Sequence, residues 1–207
     1  MNVFVLCTGR CGSTTMALAC QHITNFSADH ESLAMRLGDA RLNYPENHIE
    51  IDNRLSWYLG KLDQKYGDDA YYVHLQRDAA QVIDSFVKRK GFGIMKAFED
   101  GLIRLPSPDL DDPRLLAKEI VEVGTSNIMQ FLKGKKNQME FHLENVEHDF
   151  PKFWNWIGAE GDFDAAVDCW SSKHNASDGN MKKTVFEKAI RKIRKVAEGR
   201  ANNDPIH

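Results

Sequence analysis

The sequence predicts an α/β domain: a three-layer arrangement with a mostly parallel central sheet and helices on both faces, running over residues 1–207 as one unit. Three observations predict it. Short apolar runs alternate with segments of helical period along the chain, the pattern of strands joined by crossover helices. The first apolar run leads through a glycine loop directly into a helix. The composition, 42% hydrophobic and 28% charged over 207 residues, is that of an ordinary globular domain.

Val3-Phe4-Val5-Leu6-Cys7 is a continuous apolar run, as expected of a strand buried on both faces. It ends at Thr8-Gly9-Arg10-Cys11-Gly12-Ser13-Thr14, where glycine supplies turn geometry and Ser or Thr can cap a helix. Met16, Leu18, Ala19 and Ile23 continue that helix. A short, weak apolar piece near Asn25-Phe26-Ser27 reaches Asp29-His30-Glu31, and a helix is expected through Leu33, Met35 and Leu37 until Tyr44-Pro45 breaks it.

His48-Ile49-Glu50-Ile51 is a candidate strand, and Asp52 a candidate cap for a helix carrying Leu55, Trp57, Tyr58, Leu59 and Leu62. Tyr66-Gly67-Asp68 stops that helix. Ala70 to Gln76 is the clearest second strand; Arg77-Asp78 and a helix with Val82, Ile83, Phe86 and Val87 follow. Lys88-Arg89-Lys90-Gly91 reads as a basic, solvated helix end. Pro106, Pro108 and Pro113 mark a loop, and a long helix runs from about Pro113 to Leu132 with Gly124 as its weak point. Met139 to Leu143 is the last strand. Helices around Phe153–Trp156, Phe163–Trp170 and Val185–Val196 complete the domain, the last with its Lys and Arg residues on an outer face.

Charge and cysteine usage exclude several classes. Twenty-seven Lys and Arg against 30 Asp and Glu leave a net charge of -3, so no overall positive field exists to hold nucleic acid. Cys7, Cys11, Cys20 and Cys169 form no C-x-x-C pair and no disulfide framework, and no His pair stands at zinc spacing. No stretch approaches a bilayer-spanning length, and the first residues lack the features of a secretory signal. A reduced, cytoplasmic, soluble protein with no metal is expected. Oligomeric state is not readable.

In a parallel sheet, ligands bind at the carboxyl ends of strands. A loop between a strand and a helix N-terminus gathers backbone N–H groups and the positive end of the helix dipole, which suits an anion. Gly9 and Gly12 allow close approach, Ser13, Thr14 and Thr15 add hydroxyls, and Arg10 adds a fixed charge with a fork of donors. The loop lacks the Lys of the ATPase pattern G-x-x-x-x-G-K-[ST]. It also lacks the Arg of a C-x5-R phosphatase loop, because Ser13 stands there. Arg77 lies just past a strand end, with Ser85 about two helical turns on, so both can grip one further phosphate. Taken alone, Arg77 would sooner pair with Asp78 or a glutamate.

The two constellations together resemble the sulfotransferase family that uses 3′-phosphoadenosine 5′-phosphosulfate (PAPS), most closely its bacterial carbohydrate-type and small-molecule members. The likeness rests on Thr8-Gly9-Arg10-Cys11-Gly12-Ser13-Thr14 and on Arg77, seven residues, then Ser85, within Val73-His74-Leu75-Gln76-Arg77-Asp78. It covers residues 1–90 well and the rest in outline. It implies a P-loop-like fold. It also implies that Gly9, Arg10, Cys11, Gly12, Ser13, Thr14 and Thr15 surround the 5′-phosphosulfate, that Arg77 and Ser85 hold the 3′-phosphate, and that 3′-phosphoadenosine 5′-phosphate (PAP) is the released product. Arg10 would meet the charge growing on the leaving phosphate, and Glu31 would be the base for the acceptor hydroxyl, with His30 the second candidate. Glu31 could equally support a helix N-terminus. The acceptor would be a small molecule or carbohydrate. Two departures stand out: Thr15 sits where cytosolic members carry a Trp, and Lys173-His174-Asn175 is all the chain offers in place of their late R-K-G. Two other classes fit less well: a P-loop kinase-like phosphotransferase, and a nucleotide-binding protein without turnover.

Overall fold

In a computed structural model the described residues are 1–103 and 108–171, all within one compact unit, Met1–Asn175. Five strands form the sheet: β1 (Val3–Leu6), β2 (Ser27–His30), β3 (His48–Ile51), β4 (Tyr71–Gln76) and β5 (Gln138–His142), in the order β2-β3-β1-β4-β5. Every pairing between them is parallel. The expected α/β class is therefore correct. Seven α-helices among the described residues complete the unit: α1 (Ser13–Cys20), α2 (Leu59–Tyr66), α3 (Ala79–Val87), α4 (Gly93–Gly101), α5 (Pro113–Leu132), α6 (Val146–Trp156) and α7 (Phe163–Ser171).

The pleat sorts each strand's side chains onto two faces. Val3, Val5 and Cys7 pack with Ile49, Ile51 and Val73 into one apolar cluster that α1, α6 and α7 cover. Phe4, Leu6 and Tyr72 point the other way and pack with Leu42, Tyr44, Leu55 and Leu62 and with Ile128 and Leu132 near the end of α5. Two cores on opposite faces of one sheet give the three layers. Because β1 and β4 are neighbours, with Leu6 registered on His74, the loops after them share one edge.

Several expectations need correction. No α-helix runs through Leu33, Met35 and Leu37; turns there lead to a 3-10 helix, Gly38–Leu42. Met35 and Leu37 are among the most exposed large apolar side chains, so the apparent periodicity marks no buried face. The single helix expected after Asp52 is a 3-10 helix, Asn53–Trp57, followed by α2, with the break at Tyr58. α4 was not anticipated: it buries only Met95 and Phe98, between glycines at 91, 93 and 101. The strands after Pro45 and Gly67 and the span of α5 are as expected. The basic helix expected at Val185–Val196 and the Lys173-His174-Asn175 segment lie outside the described residues.

His74 is a buried imidazole on β4, and burial, with the nearby His142 adding, pushes it down to about 4. The sign follows from linkage. Above the ordinary histidine value neither state is protonated there. Between that value and about 4 the unfolded chain takes up a proton that the folded one refuses, so stability falls as pH falls. The loss is expected to total on the order of 3 kcal/mol. Denaturant titrations from pH 7 to pH 4 should show it in the native chain, and His74→Leu should remove that share.

Candidate functional site

The carboxyl edge of the sheet gathers the loops after β1, β2, β3 and β4. The loop after β1 owes its shape to backbone conformations that side chains rarely adopt: Gly9 at φ 91°, Arg10 at 61° and Gly12 at 86°. Gly12, in the left-handed region, is the residue before α1, and no side chain caps this helix. The expected Ser or Thr cap is therefore absent, and Ser13 is already helical. Met16 N–H donates to Gly12 O at 3.0 Å. The first-turn N–H groups ahead of it are presented at the helix start, where an anion is favoured.

A Cβ on Gly9 would stand 2.7 Å from Asn53 Nδ2. Gly9→Ala combines that clash with a positive φ and should cost about 1–2 kcal/mol in chemical denaturation. Gly124, the weak point of α5 in sequence terms, lies against Thr8: a Cβ there would be 3.1 Å from Thr8 Cγ2. Glycine at this position lets the long helix pack closely on the first residue of the loop.

Two arginines meet at this loop. Arg10 Nε donates to Ser85 Oγ at 2.8 Å, so the loop and α3 meet directly. Arg77 Nη1 donates to the backbone oxygen of Arg10 at 3.2 Å, and Nη2 to Gln81 Oε1 at 2.7 Å. Burial, then the charges of Arg89 and Arg77, push Arg10 down to about 10. Like charges held this close are stabilised by an anion among them. Arg77 does not pair with Asp78, which instead caps α3 by accepting from Gln81 N–H at 2.9 Å. Arg89 was read from sequence as part of a solvated helix end. It is exposed just past α3, as that reading has it, and its charge helps to lower Arg10.

The remaining predicted residues divide. Cys11 is buried and turns inward, donating from Sγ to Gly9 O at 3.1 Å; it ties the loop together from behind. Thr15 is buried too, while Ser13 and Thr14 are partly exposed at the start of α1. His30, the last residue of β2, reaches the loop: its Nε2 and Ser13 Oγ share a hydrogen bond at 3.1 Å. Glu31 turns elsewhere, into an ion pair with Arg54 on the turn after β3. Sequence reasoning missed Arg54, whose exposed side chain gave no pattern to read. Trp57 is half-buried, with its ring centroid 5.7 Å from that of Phe98.

Asp52 is more than the cap expected of it. It accepts from Arg54 N–H at 2.7 Å, but it is also fully buried and paired at 2.5 Å with Arg41. Among the described residues no group of three or more His, Cys, Asp or Glu could hold a metal ion, and no helix is long and apolar enough to cross a membrane.

No family model and no curated protein matches the chain. Among solved structures it is similar to the sulfotransferase domain from the curacin biosynthetic pathway, at 12% identity and a TM-score of 0.63, covering 83% of this chain and 78% of that one. It is also similar to the sulfotransferase domain of the Synechococcus PCC 7002 olefin synthase, at 16% identity and a TM-score of 0.57, covering 99% of this chain and 96% of that one. At these identities the likeness is one of fold: the parallel α/β sheet of this chain is similar to that of these two domains.

Proposed function

We propose that the protein is a sulfotransferase that moves a sulfonate group from PAPS to a hydroxyl of a small-molecule or carbohydrate acceptor. The observation that carries this reading is the meeting of Arg10, Arg77 and Ser85 at the glycine loop, where three cationic or donor side chains from two elements close on one anion-favouring helix start. The donor substrate fits this set. It carries phosphate charge at both the 5′ and 3′ positions, and the site divides into a loop at the start of α1 and a cluster at α3. The shared fold of the sulfotransferase domains supports the same reading.

The residues then have separable tasks. Loop N–H groups and Arg10 take the charge that grows on the leaving phosphate, a fixed electrostatic arrangement of the kind that dominates such transfers. Arg77, Ser85 and the field of Arg89 hold the 3′-phosphate. His30 is the side chain that touches the loop, so the geometry favours it over Glu31 as the base. The acceptor oxygen forms a bond to sulfur as the bond from sulfur to the phosphate oxygen breaks. The acceptor proton passes to His30, and PAP departs with the electron pair.

The kinase-like alternative meets a specific obstacle. The carboxylate at the end of the strand beside β1 is Asp52, and both its oxygens are engaged, one by Arg41 and one by Arg54 N–H. Incubation of the protein with sulfur-labelled PAPS and a panel of sugars, phenols and alkyl alcohols tests the proposal. Label transfer with equal release of PAP is expected. Transfer of phosphate from ATP with magnesium, and none from PAPS, would replace this reading with the kinase one. Tight PAP binding without turnover on any acceptor would favour a nucleotide-binding protein.

A further inference from the structure

Strand β3 and the residue after it carry three buried polar side chains away from the arginines of the glycine loop. His48, Glu50 and Asp52 alternate along one face, and all three are at most 2% exposed. A parallel strand covered on both faces is normally apolar there, because burying a carboxylate is costly unless its partners are good. Here the partners are specific. Glu50 accepts from Ser32 N–H at 2.8 Å and from Ser32 Oγ at 2.5 Å, and shares a 3.0 Å hydrogen bond with His48 Nε2. The other ring nitrogen of His48 bonds Ser27 Oγ at 2.8 Å, and the ring of Tyr44 stacks on it. Both oxygens of the buried Glu50 carboxylate are thus engaged by Ser32, just past β2, and one of them also by His48 on its own strand.

What Glu50 grips is the exit of β2. Ser32 follows His30 and Glu31, and Glu31 is held at φ 55° with its N–H on Ile51 O at 3.1 Å. A non-glycine residue keeps a positive φ only where its surroundings over-determine it. On the other side Asp52 grips Arg54 N–H, and the Glu31–Arg54 ion pair closes the gap between the two loops. Two buried carboxylates two residues apart, one on β3 and one just past it, therefore fix both loops beside the phosphate loop.

We infer that Glu50 is a positioning residue for the transfer: through Ser32 it holds the β2 exit so that the His30 ring stays against Ser13, without itself touching donor or acceptor. The inference rests on the sulfotransferase reading above and adds to it a residue whose loss separates turnover from cofactor binding. The phosphate loop and the arginine cluster are built by other elements, so their affinity for PAP does not depend on this grip.

The test compares full-length wild type, Ser32→Ala, Ser32→Thr and Glu50→Gln by three measurements. Amide hydrogen exchange over residues 30–33, with no ligand present, should speed up about tenfold in Ser32→Ala and Glu50→Gln and return toward wild type in Ser32→Thr, which keeps the hydroxyl. The thermal shift given by PAP should be unchanged. With PAPS and the best acceptor from the panel, kcat should fall about tenfold at constant KM for PAPS, again with recovery in Ser32→Thr. Should Glu50→Gln fail to fold, the Ser32 pair carries the test unaided. Unchanged exchange in Ser32→Ala overturns the inference. So does a loss of activity matched by an equal loss of folded protein or of PAP binding, since that is a merely structural role. A wild type that neither binds PAP nor consumes PAPS removes the sulfotransferase reading, and the positioning role with it. A wild type that turns over alongside variants with unchanged kcat overturns this inference alone.

Discussion

Replacing His30 with glutamine should lower kcat for sulfonate transfer by about a hundredfold or more while leaving the fold and PAP affinity near wild type. The residue ends β2, and its Nε2 bonds Ser13 Oγ at 3.1 Å, so the ring already stands against the loop that would hold the phosphosulfate. Glutamine can keep a hydrogen bond to Ser13 but cannot accept the acceptor proton as an imidazole does. Glu31→Gln is the matched comparison. Its carboxylate is occupied by Arg54, so its loss should loosen the acceptor side and lower kcat by a smaller factor, about tenfold. Steady-state rates at saturating PAPS decide between them. A near-normal rate in His30→Gln with collapse in Glu31→Gln would hand the role of base to Glu31. Full activity in both would remove side-chain base catalysis from this loop.

Arg10→Ala should raise the Kd for PAP by about thirtyfold and reduce kcat further still. A hydrogen-bonded charge on a phosphate contributes about 1.5–3 kcal/mol. Arg10 is also half of the tie between the glycine loop and α3, through Ser85. On the proposed reading its removal leaves Arg77, Ser85 and the loop N–H groups to bind the nucleotide without it. Charge on the leaving phosphate grows toward the transition state, so a partner on that side gains in value there and kcat suffers as well. Isothermal titration with PAP and single-turnover kinetics with PAPS separate the two effects. An unchanged kcat with a raised Kd would make Arg10 a ground-state binder, engaged only at the Ser85 side of the site.

The fold was legible in the sequence, as was the glycine loop that opens it, because both rest on local rules. An apolar run, a glycine loop and a helix specify the β1–α1 turn within twelve or so residues. Arg77, just past β4, and Ser85, within α3, lie near each other in the chain, and both contact Arg10. The acceptor side was less legible for a physical reason. His48-Ile49-Glu50-Ile51 reads as a candidate strand, and nothing local says that Arg41 and Tyr44 cover the side of it that carries His48, Glu50 and Asp52. Arg54 meets Glu31 through a turn whose geometry is set by packing at a distance. His30 ends β2 and reaches Ser13, whereas Glu31, held at φ 55° just past the strand, turns to Arg54, and neither direction is readable from the residues themselves.

The most direct test of the central claim is whether the site recognises a 3′-phosphate, because that group separates PAP from the common adenosine nucleotides. Thermal unfolding with PAP and with adenosine 5′-diphosphate, which carries as many phosphates, isolates it. At about a hundred times its Kd, PAP should add about 2.7 kcal/mol of apparent stability. For a domain of this size that corresponds to a rise in Tm of about 5–10 °C. The diphosphate at the same concentration should give a small fraction of that shift, and Arg77→Ala should abolish most of the difference. Equal shifts for the two nucleotides in the wild-type protein would contradict the account.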